Sequence, residues 1–385
     1  MNQRLPLPIQ TNCIMGKPSP SLRSILITAA FLAVLTVLFI LNIVVTPLSF
    51  LQSERRAPAR FPDLSFVSIK NESFADDFES FTADTFPFRD GFRTVRSAFM
   101  LGVLRYSDKD GLYTDASGIG KFASSDASSI TKTALVIDKV ASSLDDMNMN
   151  IYYSFIPDKS IYSDKRLPGF DAVMTARVLK GTAGMEKYTF IDLTDALDAN
   201  SFYKTDFHWN QSRLDGVVST LGESMRFGFY SEQYEQEFAG KFRGVYAGQL
   251  ALPTKSDILT YLTLHSLTAQ KLNSTTKEIE PTPVYDLDRL NGVDPYDVFL
   301  SGAQPLVILE NDSADAEGEL YIFRDSFTSS LAPLLAGAYA RVTLIDLRYI
   351  DLRTLSRYVE FKPGSDVLFI YSSIILNNPE MLLVY

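Results

Sequence analysis

Two histidines, one cysteine and one tryptophan in 385 residues leave this chain few ways to do chemistry. The one thiol, Cys13, precedes a long apolar run near the N-terminus, so the rest of the chain has neither a disulfide nor a thiolate nucleophile. Two histidines with no thiol beside them also argue against a structural or catalytic zinc site. There is no His-Glu-x-x-His, no Gly-x-x-x-x-Gly-Lys-Ser/Thr loop, no Cys-x-x-Cys and no Gly-x-Ser-x-Gly elbow, which sets aside the chemistries those motifs carry. Neither a cofactor nor a metal is expected. With 36 basic against 46 acidic residues the net charge is -10, and no basic stripe exists for a phosphate backbone. A nucleic-acid partner is therefore excluded, and a strongly anionic polymer would need a locally basic cleft.

Charge is missing altogether between Arg23 and Glu54. From Ile25 to Val45 only Thr28, Thr36 and Asn42 interrupt an apolar run, and at about 1.5 Å per helical residue that run spans a bilayer. A buried globular helix of this length would carry a polar face, and a signal peptide would have a shorter core followed by a small-residue cleavage site. The expected organisation is a short tail at 1–24, a transmembrane anchor at 25–46 and a juxtamembrane linker at 47–73. A large domain at 74–385 follows, with an insertion at 231–298. Flanking charge leaves orientation tied, with Arg4, Lys17 and Arg23 before the span and Arg55, Arg56 and Arg60 after it.

Beyond the linker the periodicity alternates. Ile130–Met147 and Ala172–Lys180 carry helical spacing, as does the segment after Asn210, through Leu214, Val217, Val218, Leu221 and Met225. Ile151–Ile156, Tyr188–Leu193, Pro305–Leu309, Leu320–Phe323, Tyr339–Ile345 and Val367–Tyr371 read as strands. Strands alternating with helices predict a layered α/β domain with a mainly parallel sheet. The stretch 231–298, with Gly240, Gly244 and Gly248, breaks that alternation and carries either recognition loops or packing. The five acids between Glu310 and Glu319 lack EF-hand spacing and read as a solvated turn.

The scarce residues converge. Asp206-Phe207-His208-Trp209 holds one of the histidines and the only tryptophan. If that segment is extended, alternate side chains share a face, with Asp206 and His208 on one side and Phe207 and Trp209 on the other. A carboxylate two residues from an imidazole can fix its tautomer and stabilise an imidazolium, although a buried, satisfied histidine fits the same spacing. Ser326 lies between the strand Leu320–Phe323 and a helix from Phe327 carrying Leu331, Leu334, Leu335 and Ala338. It either caps that helix or stands as a nucleophile beside helical N–H groups able to hold an oxyanion. Asp325 can cap the same helix, and Tyr203 either lines the cleft or packs. Lys159 and Arg348 either contact substrate or are, respectively, a surface lysine and an ion-paired arginine. His265 has no carboxylate or cysteine near it in sequence and reads as structural.

The run Asp206–Trp209 resembles the signature of the DHHW protein family, and Phe323-Arg-Asp-Ser-Phe327 with Val342-Thr-Leu-Ile-Asp-Leu-Arg-Tyr349 resembles its serine block and downstream strand. Phe78-Glu-Ser-Phe-Thr-Ala-Asp-Thr-Phe-Pro-Phe-Arg-Asp90 and Ile156-Pro-Asp-Lys159 are similar to its opening segment and Pro-x-Lys turn, in the same order. The family is related to the alginate O-acetyltransferases and has a fold like that of SGNH hydrolases. The resemblance implies Ser326 as nucleophile, His208 as base and Asp206 as orienting acid, in a domain outside the membrane with a cytoplasmic tail. It also implies a cell-surface polysaccharide as substrate and a multi-span membrane acyltransferase as acetyl donor. The activity expected is O-acetyl transfer or removal, or, if the fold has lost its chemistry, glycan binding or assembly. Two positions depart from the family pattern: Phe207 replaces a histidine and Arg324 replaces the glycine of Gly-Asp-Ser. No Gly-x-Asn block is evident either. At position 324 an arginine would narrow the pocket, meet an anionic substrate or alter the oxyanion site.

Overall fold

The computed structural model describes residues 21–44, 49–165, 169–313 and 316–384. The tail through residue 20, with Arg4, Cys13 and Lys17, lies outside the described residues, as do 45–48 of the anticipated span and linker. The chain divides into two units, Met1–Ser49 with Pro58–Arg89 and Phe50–Ala57 with Asp90–Tyr385.

In the first unit, helix α1 (Leu22–Val44) contains a 21-residue stretch, Leu22–Asn42, of mean hydropathy 2.8 with none of it buried. It is long and apolar enough to cross a membrane. Helix α2 (Phe66–Lys70) starts from a reciprocal cap in which Ser65 Oγ accepts from Ser68 N–H and Ser68 Oγ accepts from Ser65 N–H, both at 3.0 Å. Helix α3 (Ser73–Thr85) buries Asp84, which accepts from Ala59 N–H at 2.8 Å and from Arg89 at 3.1 Å.

The second unit is built on an eight-stranded sheet. Its longer helices are α4 (Arg89–Ala98), which opens at the boundary, α5 (Ala127–Ser142), α6 (Ala172–Gly181), α7 (Asp215–Met225), α8 (Val245–Leu250) and α9 (Thr328–Leu335). The strands β1 (Leu112–Asp115) and β2 (Gly118–Lys121) form a hairpin, and β5 (Glu235–Phe242) pairs antiparallel with β6 (Asp257–Thr263). The remaining strands are β3 (Asn150–Ile156), β4 (Thr189–Phe190), β7 (Leu267–Leu272), β8 (Ile279–Thr282), β9 (Leu306–Asn311), β10 (Glu319–Arg324), β11 (Arg341–Ile345) and β12 (Asp366–Ser372). They lie in the order β4-β3-β12-β10-β11-β9-β7-β8. From β4 to β11 neighbours run parallel, and β9, β7 and β8 join antiparallel at one edge.

Alternation along the central strands assigns the two faces. Leu320 and Ile322 of β10 and Leu368 and Ile370 of β12 face a core built with α7 and α9. Tyr321, Phe323, Val367, Phe369 and Tyr371 face the opposite core, built with α5 and α6. Burial on both faces is why these strands read as continuous apolar runs. The segment 231–298 divides its roles: β5, α8 and β6 lie outside the central sheet, whereas β7 and β8 extend it. Of the expected strand Tyr188–Leu193 only Thr189–Phe190 pairs in ladder fashion, with one further bond from Ile191 N–H to Tyr153 O. Ala338, expected on the helix after Ser326, lies beyond its end at Leu335.

Candidate active site

The segment around His208 is a closed loop, not a strand. An isolated antiparallel bridge joins Phe202 to Trp209, and Tyr203 N–H donates to His208 O at 3.1 Å. The loop bends at 204–208, so strict alternation fails. Trp209 does point into the core, where its Nε1–H donates to Phe327 O at 2.9 Å and Ser330 Oγ at 3.0 Å. Phe207 does not join it. Its ring centroid lies 3.9 Å from that of His208 and 5.6 Å from that of Phe327, on the same side as the imidazole.

Three clamps fix the loop. Lys159, only 5% exposed, donates from Nζ to Ile119 O at 2.8 Å and to Tyr203 O at 2.7 Å. Asp257 of β6 accepts from Lys204 N–H at 2.8 Å and Thr205 N–H at 2.7 Å. The β1–β2 turn closes the third side, with Ile119 N–H donating to Lys204 O at 2.7 Å. At Gly118, φ is +121° and any Cβ would sit 2.3 Å from that same carbonyl, so only glycine permits the approach.

Ser326 follows the carboxyl end of β10 and is half-buried in an otherwise buried run. Asp325 ties this turn together: Oδ1 accepts from Phe327 N–H at 3.2 Å, and Oδ2 accepts from Ser372 N–H at the end of β12 at 2.7 Å. Thr328 N–H donates to Asp325 O at 3.3 Å. These N–H groups at the start of α9 are thus already engaged, contrary to the expectation that they would be open to an oxyanion. Among the described residues, no hydrogen bond uses the N–H of Ser326 itself. The helix is held to the histidine loop by Trp209, by Gln211 Nε2 donating to Ser330 O at 2.8 Å, and by Tyr296, whose hydroxyl donates to Ser330 Oγ at 2.7 Å.

These restraints bring three side chains into one hydrogen-bonded chain. His208 Nε2 lies 2.9 Å from Ser326 Oγ, and His208 Nδ1 lies 2.9 Å from Asp206 Oδ1. Asp206 is fully buried and also accepts from His208 N–H at 3.1 Å and Val245 N–H at 2.9 Å. Burial alone would push its carboxyl pKa up. The imidazole, the Arg55 charge and the Val245 N–H outweigh that and hold it well below the usual carboxylate range. A Cβ at Gly244 would fall 2.4 Å from the Asp206 side chain, so the close packing of this carboxylate also requires glycine. The His208 ring stacks on Tyr296, with centroids 3.7 Å apart and planes 6° from parallel. With Nδ1–H donating to a carboxylate, the free Nε2 lone pair faces the serine hydroxyl and can accept its proton.

A cleft of about 600 Å³ opens where β3 and β12 end, lined by Phe207, Tyr246, Phe327, Lys121, Gln249 and Ser372 among others. Ligands of parallel α/β sheets bind at this end of the strands. Tyr203 is not in the cleft: its ring packs edge-on against Phe242 at 4.9 Å. Lys159 is buried, not a surface lysine, and lies at the cleft wall with its ammonium bound to the two loop carbonyls. Arg324 is also fully buried. It points beneath the turn, donating to Asp325 O at 3.2 Å and Ser329 Oγ at 3.0 Å, with Asp346 at 3.9 Å. It therefore does not line the cleft. Arg348 makes a two-pronged pair with Asp346 at 2.8 and 2.6 Å, as an ion-paired arginine. His265 is exposed, 3.6 Å from Glu235. Sequence reading missed Gln211, two residues past the motif, and Tyr296, Asp257, Val245 and Arg55, which are distant along the chain from it. The sole available signal was the cluster of glycines at 240–248, which marks close approach without naming its partner.

No family model matches the chain, and no curated protein does either. Solved structures do. PatB1 from Bacillus cereus superposes with a TM-score of 0.56 at 19% identity, covering 71% of this chain and 99% of that one. A DHHW family protein from Eubacterium siraeum gives a TM-score of 0.56 at 15% identity over 71% of this chain and 94% of that one. The chain shares its fold with a DHHW family protein. That agrees with the resemblance carried by Asp206–Trp209 and Phe323–Phe327 in the sequence. The O-acetyltransferase domain of Pseudomonas putida AlgJ aligns more loosely, with a TM-score of 0.41 at 12% identity over 70% of this chain and 92% of that one, too loose for a shared fold to be read from it.

Proposed function

We propose that this protein is a membrane-anchored, extracytoplasmic serine O-acetyltransferase or O-acetylesterase acting on a cell-surface polysaccharide. The observation that carries the reading is the continuous chain Ser326 Oγ, His208 Nε2, His208 Nδ1, Asp206, with 2.9 Å at each imidazole contact. In this reading His208 takes the proton of Ser326 as Oγ attacks the acetyl carbonyl. The tetrahedral oxyanion is held by the N–H of Ser326, the donor left without a protein partner. His208 then returns the proton to the leaving oxygen, giving acetyl-Ser326. It next deprotonates a sugar hydroxyl or water, which takes the acetyl group and regenerates the serine. A cleft that pairs Phe207 and Tyr246 with Lys121 and Gln249 suits a sugar ring, with an apolar face and polar edges. The apolar helix α1 supports an anchor, and the family resemblance adds a short cytoplasmic tail before it and the catalytic unit outside. A multi-span acyltransferase would supply acetyl groups there. The competing reading, a glycan-binding or assembly component without chemistry, drew on Arg324 and on the missing Gly-x-Asn block, and the burial of Arg324 beneath the turn weakens the first of these. Full-length protein in detergent, offered an activated acetyl ester, tests the proposal: the wild type should turn over and Ser326→Ala should not. Equal turnover by both would reject it.

A further inference from the structure

We propose that Arg55, on the segment just after the apolar N-terminal helix, is a positioning residue of this site that sets the charge balance of Asp206 and hence of the base. The inference rests on the reading of Asp206 and His208 given above. Arg55 Nη1 lies 3.5 Å from Asp206 Oδ2 and 2.7 Å from Asp294 Oδ2, and its side chain is 11% exposed. Asp206 Oδ2 is the oxygen turned away from the imidazole, so the guanidinium holds the back of the carboxylate while Oδ1 serves His208.

The segment carrying Arg55 is built into the unit. Leu51 is buried and bridges antiparallel to Arg56. Arg93 of α4 donates to Ser53 Oγ at 3.1 Å and pairs with Glu54 at 3.2 Å. A Cβ on Gly248 would come within 1.7 Å of Ser53 O, so α8 carries glycine where this segment docks. Arg55 itself has φ of 53°, and its Nη2 donates to Arg243 O at 3.3 Å. A left-handed arginine, a glycine contact and a buried leucine together seat one cation behind one carboxylate.

Other charged or titratable groups facing the pair are Lys159 and Asp257 around the loop, Asp294 and Asp297 on the far side of Arg55, and the phenols of Tyr203, Tyr246 and Tyr296. Of the two cations near the pair, Lys159 and Arg55, Arg55 is the one that touches Asp206.

Full-length protein in detergent micelles, with p-nitrophenyl acetate as probe, tests this through the pH profile of kcat/KM. Removing the cation leaves the Asp206 charge unopposed and favours the protonated imidazole. Arg55→Met should therefore move the acidic limb up by about one pH unit, the order expected for removing a unit charge on the far side of the carboxylate at an effective dielectric near 20 with partial screening. The rate should fall about tenfold at the acidic end and recover at alkaline pH. Arg55→Lys should restore most of the limb. Arg341→Met, which breaks an ion pair with Glu310 outside this segment, should leave the limb in place. A limb unmoved in Arg55→Met, or a loss equal at every pH, would overturn the inference. Absence of an acetyl-Ser326 intermediate in the wild type would instead overturn the reading beneath it.

Discussion

Lys159 offers a test in which sign and size both follow from geometry. Replacing it with methionine keeps the length of the side chain but removes the donor to Ile119 O and Tyr203 O, leaving two loop carbonyls without that partner. Each lost buried bond costs about 1–3 kcal/mol. Against that stands the cost of the buried ammonium: burial pulls its pKa down to about 8, with the Asp257, Asp206, Asp115 and Asp158 charges opposing only in part. The folded value lies below the unfolded value of 10.5, so between about pH 8 and 10.5 the unfolded chain binds the extra proton. Wild-type stability gains from this group as pH rises through that window, up to about 3 kcal/mol. Neutral Lys159 still has two N–H donors for its two carbonyls. At pH 7 the two effects of Lys159→Met largely offset, giving a loss of about 0–3 kcal/mol. By pH 9.5 the gap between wild type and variant should have widened by about 2 kcal/mol, roughly 4 °C in Tm. Taking the difference cancels the alkaline titration of the tyrosines. Trp209 is the only tryptophan and is buried beside Ser330, so its emission during heating reports on this unit alone. A gap that stays constant or narrows with pH would refute the account of Lys159 as a desolvated clamp.

Other predictions follow from the same contacts. Asp206→Asn should lower kcat for an activated acetyl ester by about 10⁴, roughly 5 kcal/mol, because the amide favours the tautomer with Nε2–H toward Ser326, and steady-state kinetics reads this directly. Within tenfold of wild type, the orienting role fails. Burial, reinforced by the Asp294 charge, pushes the Asp297 carboxyl up to about 6 despite Arg289, Arg55 and His208. Its folded value exceeds the unfolded one, so its contribution is present below about pH 4 and lost as pH rises through 6. Asp297→Asn should accordingly raise stability by about 1–2 kcal/mol at pH 7.5 and leave it unchanged near pH 4, as thermal melts at the two pH values would register.

The sequence carried the local part of this architecture well. β3, β10 and β12 are legible because both their faces are buried, which makes short apolar runs, and Trp209 announces itself by rarity. The Asp206, His208 and Ser326 side chains stand out because so few other groups in the chain can move protons. What was hidden depends on long-range closure. Phe207 turns toward the imidazole since the Phe202–Trp209 bridge bends the segment that alternation treats as straight. Arg324 and Lys159 look like surface or substrate residues by type, and only the placement of Asp346 and Ser329, or of Ile119 O and Tyr203 O, explains their burial. β7 joins the main sheet between β9 and the edge strand β8 although its own pattern, Leu267 to Leu272, is half polar, because only Ala269 and Leu272 of it are buried. Tyr296 and Arg55 carry no local signature at all, since their function is to meet a loop about 90 and 150 positions away.

The central claim is that Ser326 is made nucleophilic by His208. Its most direct measurement is peptide mass analysis of the folded full-length protein after exposure to an arylsulfonyl fluoride or an activated acetyl ester. A single adduct on the peptide holding Ser326, missing in Ser326→Ala and slowed at least a hundredfold in His208→Ala, is the outcome the geometry predicts. Protein that keeps its native Trp209 emission yet carries no adduct, or carries it on another residue, would contradict the account.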